Sequence, residues 1–175
     1  MPLIFATFSC SFNTSRSSTA GSGPSSEAAL KGIAVETLQV VVTAGGKVAN
    51  LYAFLGLVVP GHEVLVHDPS HQIYRSLSRF AGARPVPIPI RMSSVLRRAV
   101  DELASLITPR TRGLVINSPA NPNGGVLTRN DLERIAELAI RHDLWVLADA
   151  ISGRLLYDGP GHVSLPPLPG SARPH

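Results

Sequence analysis

Asn117–Gly125, with the sequence NSPANPNGG, is a turn-rich segment that begins where the apolar run Gly113–Asn117 ends. A second apolar run follows at Leu144–Ala148, and Asp149 comes directly after it. The first run is apolar on both faces, which is typical of an interior strand in a parallel sheet. Thr128 with Asp131 three residues later resembles a capping box, which predicts that a helix begins between the two runs.

The same alternation of short β-branched runs and longer helical segments extends towards the N-terminus. Strands are predicted at Gln39–Val42, Glu63–His67, Val86–Ile90, Gly113–Asn117 and Leu144–Ala148. Further helices are predicted from Gly46 to Val58, from His71 to Phe80 with an end near Gly82, and from Ser94 to Leu106. This order predicts a three-layer α/β/α domain with a mainly parallel sheet. Prolines in the third strand (Pro85, Pro87 and Pro89) remove backbone donors, so that strand is predicted at a sheet edge.

Composition excludes several classes of protein. The 175 residues include 16 Lys and Arg against 12 Asp and Glu, and the basic residues form no run interleaved with aromatic ones, so a nucleic-acid role is not expected. One cysteine, Cys10, allows neither an internal disulfide nor a cysteine metal cluster, and the histidines show no metal-ligand spacing. No apolar run approaches the roughly 20 residues of a membrane span, and a cytoplasmic location is the default expectation.

The carboxyl ends of the predicted strands are the first place to look for a ligand. Gly45-Gly46-Lys47 stands where a strand turns into a helix, so its backbone N–H groups and the Lys47 charge suit a phosphate, although two glycines there also make an ordinary tight turn. It is not a Walker P-loop, because no Ser or Thr follows the lysine. A Rossmann nucleotide site is disfavoured as well, since no Gly-x-Gly-x-x-Gly is present.

Three further side chains at this edge allow two interpretations each. Asp149 would need compensation if buried, so it is either a cap or surface ion pair, or the partner of a protonated pyridine nitrogen. Asn121 is either part of a plain Asn-Pro chain reversal or a donor to a phenolate oxygen. His71 is either a surface residue or an imidazole stacked on an aromatic ring.

These signals follow one another in the order of a known family. From about residue 39 to 170 the chain resembles the large domain of class I/II pyridoxal-phosphate-dependent aminotransferases of fold type I. The resemblance rests on four stretches and on a segment preceding the fourth strand, namely VTAGGK (Val42–Lys47), PGHEV (Pro60–Val64), NSPANPNG (Asn117–Gly124), ADAI (Ala148–Ile151) and ITPRTR (Ile107–Arg112).

The resemblance implies a cofactor, pyridoxal 5'-phosphate, and a role for each candidate. Gly45, Gly46 and Lys47 would hold the phosphate, His71 would cover the ring, Asn121 would reach the phenolic oxygen, and Asp149 would bind the ring nitrogen. The implied reaction moves an amino group between an amino acid and a 2-oxo acid, in a family that is usually homodimeric. Asn123 and Ser152 stand where the family usually has threonine and tyrosine.

The family's catalytic lysine has no counterpart, since Lys31 and Lys47 are the chain's lysines and neither stands downstream of Asp149. We therefore expect an inactive fragment with three parts: residues 1–38, largely disordered or weakly helical; residues 39–159, a partial large domain; and residues 160–175, a Pro- and Gly-rich tail. The family's strand order would also leave Gln39–Val42 without neighbours. The alternative is a non-enzymatic fragment that binds the cofactor or pairs with a full-length relative.

Overall fold

The computed structural model describes residues 4–7, 41–89 and 97–153. Five strands and four helices lie in these ranges: β1 Ile4–Thr7, α1 Gly46–Leu57, β2 Glu63–Asp68, α2 Ile73–Phe80, β3 Arg84–Pro89, α3 Arg97–Leu106, β4 Thr111–Asn117, α4 Arg129–Arg141 and β5 Trp145–Asp149. The elements from α1 onward agree with the predicted order of strands and helices. Ile90 and residues 94–96, which were predicted to extend β3 and α3, lie outside the described residues.

The strands form one sheet in the order β1-β5-β4-β2-β3, and each neighbouring pair is parallel. Strand β3 pairs with β2 alone, which confirms its predicted place at an edge. The predicted α/β class with a mainly parallel sheet is confirmed. In the register between β4 and β5, Asn117 stands opposite Asp149, so the turn-rich segment after β4 and the acid that ends β5 begin side by side on neighbouring strands.

Two apolar clusters cover the two faces of the sheet, because successive side chains of a strand point to opposite sides. Leu65, Leu114 and Val146 belong to the cluster that includes residues of α3 and α4. Val64, Val115 and Leu147 belong to the other, which includes Phe54 of α1 and Tyr74 of α2. The chain thus forms the three layers expected from its alternating pattern.

Glycine at position 113 allows the large side chain of β5 to lie against β4. A Cβ atom at Gly113 would stand 2.1 Å from Cζ2 of Trp145, its register partner, which no side chain could tolerate. The indole also meets the ring of Phe54 edge-on, with the two centroids 6.2 Å apart. Trp145 therefore links α1 to the centre of the sheet.

The start of α4 has the predicted capping box. The Thr128 hydroxyl accepts the N–H of Asp131 at 3.2 Å, and the Asp131 carboxylate accepts the N–H of Thr128 at 2.9 Å. Two of the helix's otherwise unpaired N–H groups gain partners in this way. The capping box therefore determines where α4 begins after the 117–125 loop.

The amino end of the sheet carries a buried carboxylate, Glu63, at the start of β2. It accepts hydrogen bonds from Thr108 at 2.6 Å and from Arg84 at 2.9 Å, and Arg110 forms an ion pair with it at 3.0 Å. The hydrogen bond from Thr108 and, after it, those from Arg84 lower the pKa of Glu63, although burial opposes this change. These contacts join β2, β3 and the 106–111 turn.

Two expectations for the N-terminal part need revision. The predicted strand Gln39–Val42 is wrong where it is described: Val41 and Val42 lie outside any strand and are 73% and 58% exposed. Neither residue has a strand partner among the described residues. This agrees with the family's strand order, which was expected to leave Gln39–Val42 without neighbouring strands. Ile4–Thr7, a stretch for which the sequence predicted no strand, pairs with β5.

The remaining N-terminal residues and the tail 160–175 lie outside the described residues, so the three-part division stays a prediction. Within the described ranges, none of the helices is both long enough and apolar enough to span a membrane.

Candidate functional site

The carboxyl ends of β2, β4 and β5 meet at one edge of the sheet, together with the start of α1. Asp149 ends β5 and is only 4% exposed. Its Oδ2 atom accepts two hydrogen bonds, each 2.9 Å long, from Nδ2 of Asn50 and from the hydroxyl of Tyr74. Its Oδ1 atom accepts the backbone N–H of Ile151 at 3.1 Å. The carboxylate is thus held from α1, from α2 and from the turn after β5.

All three donors to Asp149 are neutral. Among residues 41–89 and 97–153, no lysine, arginine or histidine forms an ion pair with it. A buried carboxylate is costly unless hydrogen bonds or an opposite charge compensate it. A carboxylate offers about four acceptor positions, so three donors leave room for one more. The arrangement suits a ligand that brings a positively charged N–H group.

Tyr74 is a permanent donor to this carboxylate. Burial, the charge of Asp149 and the hydrogen bond to it all raise the pKa of the tyrosine far above its ordinary value. The hydroxyl therefore keeps its proton over the whole physiological range. Its hydrogen bond fixes the position of Oδ2 without supplying any charge.

The glycine turn, residues 45–47, lies against the side chain of Ile151, which follows the same carboxylate in the chain. Gly45 is the N-cap of α1 at φ 96°, a left-handed conformation that favours glycine. No side chain of the described residues caps the helix there. A Cβ atom at Gly46 would stand 2.8 Å from Cδ1 of Ile151, two residues after Asp149. Lys47 in the first helical turn is exposed. The first N–H groups of α1 and the lysine therefore lie at the edge where Asp149 is buried.

The 117–125 loop is tied to the end of β5 through the buried side chain of Asn117. Its Nδ2 donates to the Asp149 carbonyl oxygen at 2.9 Å, and its Oδ1 accepts the backbone N–H of Asn121 at 2.8 Å. A hydrogen bond of 2.8 Å from the Ala120 N–H to the Gly125 carbonyl closes the loop. The Asn121 side chain is left exposed, while its backbone is anchored beside Asp149.

His71 stands in the connection between β2 and α2. Its Nδ1 accepts the N–H of Ile73 at 3.2 Å, and its ring lies 6.2 Å from that of Tyr74 at an interplanar angle of 62°. The half-buried imidazole is therefore oriented by the first turn of α2, whose Tyr74 reaches Asp149. The predicted residues Gly46, His71 and Asn121 are thus linked through these contacts to the segment around Asp149, while Lys47 is exposed in the first turn of α1.

His67, at the end of β2, lies behind Tyr74. It is 5% exposed, and its ring meets that of Tyr74 edge-on at 6.2 Å. Neither ring nitrogen has a hydrogen-bond partner within residues 4–7, 41–89 and 97–153. Burial lowers the pKa of His67 to about 4. The imidazole is therefore neutral at pH 7 and adds no charge to the site.

Three residues of the network were not identified from the sequence: Asn50, Tyr74 and Asn117. Asn50 was detectable in part, because it stands four residues before the buried Phe54 on the inward face of α1, where an apolar residue is expected. Tyr74 is a buried residue in the first turn of α2, three residues after His71 in the sequence. Their common partner, Asp149, is 99 and 75 residues away in the sequence, so no local pattern indicates the contacts.

The residues present fit a flat, protonated aromatic ring that carries a phosphate. The uncapped N-terminus of α1 suits the phosphate, and the Gly46 backbone packs so closely that a side chain would displace Ile151. The Oδ1 atom of Asn50 is buried without a hydrogen-bond partner in the described part of the chain, a state that costs about 1–3 kcal/mol. An unpaired acceptor beside a carboxylate is what a cationic N–H donor would satisfy.

Comparison with known proteins gives one consistent result. The sequence model of the family described as aminotransferase class I and II matches residues 27–172. The arginine–pyruvate transaminase of Pseudomonas aeruginosa is 46% identical over 142 residues, which make up 81% of this chain and 36% of that protein. Aromatic-amino-acid aminotransferase 2 of Thermococcus litoralis is 38% identical over 132 residues, or 75% of this chain and 34% of that protein. The chain thus spans about a third of the length of these relatives.

The fold has similar solved structures too. The aspartate aminotransferase of Thermus thermophilus with maleate superposes with a TM-score of 0.74 at 34% identity, covering 82% of this chain and 36% of that one. The N-succinyldiaminopimelate aminotransferase of Mycobacterium tuberculosis gives a TM-score of 0.68 at 39% identity, with 74% and 34% covered.

Proposed function

Because the chain belongs to the class I and II aminotransferase family, we propose that residues 39–159 are part of the large domain of an aminotransferase that uses pyridoxal 5'-phosphate. The proposed parental reaction transfers an amino group from an amino acid to a 2-oxo acid. The site at the carboxyl end of the sheet would be the floor of the cofactor pocket.

The observation that carries the proposal is the state of Asp149. The carboxylate is buried, and it is held by neutral donors from Asn50, Tyr74 and the Ile151 backbone. A cationic ring nitrogen would supply the missing charge. A carboxylate beside that nitrogen keeps it protonated, and pyridoxal phosphate, when bound, supplies a ring that accepts electrons from the substrate carbon.

The other predicted residues have positions that support their proposed roles. The N–H groups of Gly46 and Lys47 begin α1, where an anion is favoured by the helix dipole. Asn121 has an exposed amide on a loop anchored to the end of β5, which suits contact with the phenolic oxygen. His71, in the connection between β2 and α2, has an imidazole oriented by a hydrogen bond from the Ile73 N–H, which suits a place over the ring.

We further propose that this chain by itself is catalytically silent. Amino-group transfer in the family needs a lysine that holds the cofactor and moves the proton. Lys47 is exposed and belongs to the turn that is proposed to bind the phosphate, and Lys31 comes before β2, β4 and β5 in the sequence. Neither stands where the family's lysine is expected, downstream of Asp149. The homodimeric state, the cytoplasmic location and the amino acid and oxo acid partners of the parent remain predictions from the family.

The experiment is a calorimetric titration of the purified chain with pyridoxal 5'-phosphate, followed by borohydride reduction and mass spectrometry. We expect cofactor binding that disappears in Asp149→Asn, and no amino transfer from arginine to pyruvate, the pair named for the Pseudomonas aeruginosa relative. Turnover that depends on Lys47 would overturn the proposed inactivity. Absence of binding would overturn the cofactor site.

Gel filtration distinguishes the rival interpretation, a non-enzymatic interaction fragment. The chain is mixed with a full-length relative, with and without the cofactor. A mixed oligomer that forms equally well without cofactor, from a chain that does not bind it, would favour the interaction role. Binding of the cofactor by the chain alone would favour the proposed site.

A further inference from the structure

Asn50 stands apart from the residues assigned to the site, because it carries both a used donor and an unused acceptor. Its side-chain Nδ2 donates to Oδ2 of Asp149 at 2.9 Å. Its Oδ1 is buried and has no hydrogen-bond partner among the residues that the structure describes, and the whole residue is only 3% exposed. Buried polar atoms without partners are rare in folded proteins, and each calls for an explanation.

The carboxylate decides which way the Asn50 amide faces. If the amide were rotated by half a turn, its oxygen would face the Asp149 oxygen, and two acceptors would oppose each other. Nδ2 must therefore point at Asp149, and Oδ1 is left over. Because both atoms belong to one small planar group, Oδ1 lies close to the carboxylate that Nδ2 contacts.

On this basis, we propose that Asn50 is a further cofactor-binding residue, whose Oδ1 accepts the N–H of the protonated ring together with Asp149. This inference rests on the proposed function, since it assigns the unused acceptor to the cation that Asp149 lacks. The ligand class is a cationic aromatic N–H. Tyr74 differs in kind: it gives an equal bond of 2.9 Å to Oδ2 but is a positioning residue only.

The comparison of Asn50 with Tyr74 makes the inference testable. Each donates one bond of the same length to the same oxygen, so loss of positioning alone would cost the two variants about the same. Asn50→Leu removes a direct acceptor as well. A hydrogen bond to a charged group corresponds to roughly a tenfold to hundredfold change in affinity.

The test measures dissociation constants for two probes: pyridoxal 5'-phosphate, and the analogue in which a C–H group replaces the ring nitrogen. Asn50→Leu is expected to weaken cofactor binding about 30-fold, and Tyr74→Phe about fivefold, while the analogue changes less than about twofold in both. Asn50→Ala repeats the measurement in case leucine disturbs the packing. Tyr52→Phe and Asn130→Ala, which alter exposed residues, are the matched controls.

Each outcome has one meaning. Equal losses for Asn50→Leu and Tyr74→Phe would overturn the direct contact, and so would equal losses for cofactor and analogue. Unchanged cofactor binding in both Asn50 variants would overturn it too. If the unaltered chain bound neither probe, the proposed function itself would fail and this inference with it.

Discussion

Glu63 and Asp149 are both buried carboxylates, and they lie at opposite ends of the same parallel sheet. Glu63 at the amino end is held by Arg84, Arg110 and Thr108. Asp149 at the carboxyl end is held by neutral donors, with an unpaired amide oxygen beside it. The chain itself compensates the charge of Glu63, whereas Asp149 forms no ion pair with any of the described residues.

This difference separates a structural carboxylate from one prepared for a ligand. The arginines around Glu63 complete its contacts, so nothing further is needed there. At Asp149 the chain supplies orientation and leaves charge compensation to a ligand. Buried ionisable groups cluster at functional sites and also occur in structural ion pairs, so the partners of the carboxylate, rather than its burial, indicate the role.

The sharpest test exchanges each carboxylate for its isosteric amide. Asp149→Asn is expected to weaken binding of pyridoxal 5'-phosphate about 1,000-fold, or roughly 4 kcal/mol, because one partner of a buried charge pair is lost. Glu63→Gln, the matched control at the far end, is expected to change the affinity less than about twofold. Calorimetric titration of both variants measures this. Equal losses would remove the functional distinction between the two ends.

As the pH falls, protonation of His67, at the carboxyl end of β2, should be the first of these effects to lower the free energy of unfolding. Its pKa is about 4 in the folded chain and 6.5 in the unfolded one, so the unfolded state takes up the proton first. The free energy of unfolding should therefore fall as the pH drops from 6.5 to 4, by about 3 kcal/mol in total. Above pH 6.5 this contribution is fully present.

Urea unfolding at a series of pH values, followed by circular dichroism, checks the expectation. His67→Phe should lack the decrease between pH 6.5 and 4, whereas replacement of the exposed His142 by glutamine should retain it. A decrease that persists in His67→Phe would assign it to another group.

Glu63 should control stability rather than binding. Glu63→Gln is expected to lower the free energy of unfolding by about 2 kcal/mol at pH 7, as hydrogen bonds to a charged group are lost. The value is modest because the side chains of Arg84 and Arg110 are 65% and 69% exposed, so water screens their attraction to Glu63.

The lowered pKa of Glu63 also sets a pH window for this effect. The carboxylate contributes fully above its ordinary value of 4.5, and the contribution is lost as the pH falls through the lowered folded value. Urea unfolding of wild type and Glu63→Gln should therefore converge in strong acid. A difference that stayed constant down to the lowest pH would contradict this assignment.

The smallest expected effect concerns the two glycines of α1. Gly46→Ala would push its Cβ against Ile151, a flexible side chain, so we expect only about a threefold loss of cofactor affinity. Gly56→Ala has open space and should stabilise the helix by about 1 kcal/mol without changing affinity. Titrations of both variants with the cofactor and with inorganic phosphate would show whether only Gly46→Ala weakens binding. Equal affinities of the two variants would contradict a role of Gly46 in binding the phosphate.

Patterns of residues close together in the sequence predicted most of the strands and helices. The helix start at Thr128, the edge strand with its prolines, and the interior strands before Asn117 and Asp149 all depend on residues close together in the sequence. The candidate site residues came instead from the order of several motifs that resemble one family. Their positions at the end of one sheet are described by the structure, while their roles await the binding experiments.

The remaining features depend on long-range pairing. Ile4–Thr7 pairs with Trp145–Asp149 across most of the chain, and four residues carry too little pattern to predict a strand. Val41 and Val42 show the opposite case, because this β-branched pair has no strand partner among the described residues and lies outside any strand. The sequence around Asn50 and around Tyr74 gives no indication of a site, because their functional interest comes from hydrogen bonds to the distant Asp149.

Trp145 has a practical consequence that follows from its place on β5. It is the chain's single tryptophan, and it is packed against Gly113 and Phe54 on the strand that ends at Asp149. All indole emission therefore originates at one buried position four residues from the proposed ring partner. A chromophore bound beside Asp149 would quench the fluorescence of Trp145 by energy transfer. Intrinsic fluorescence therefore reports the fraction of sites that are occupied, without an attached dye.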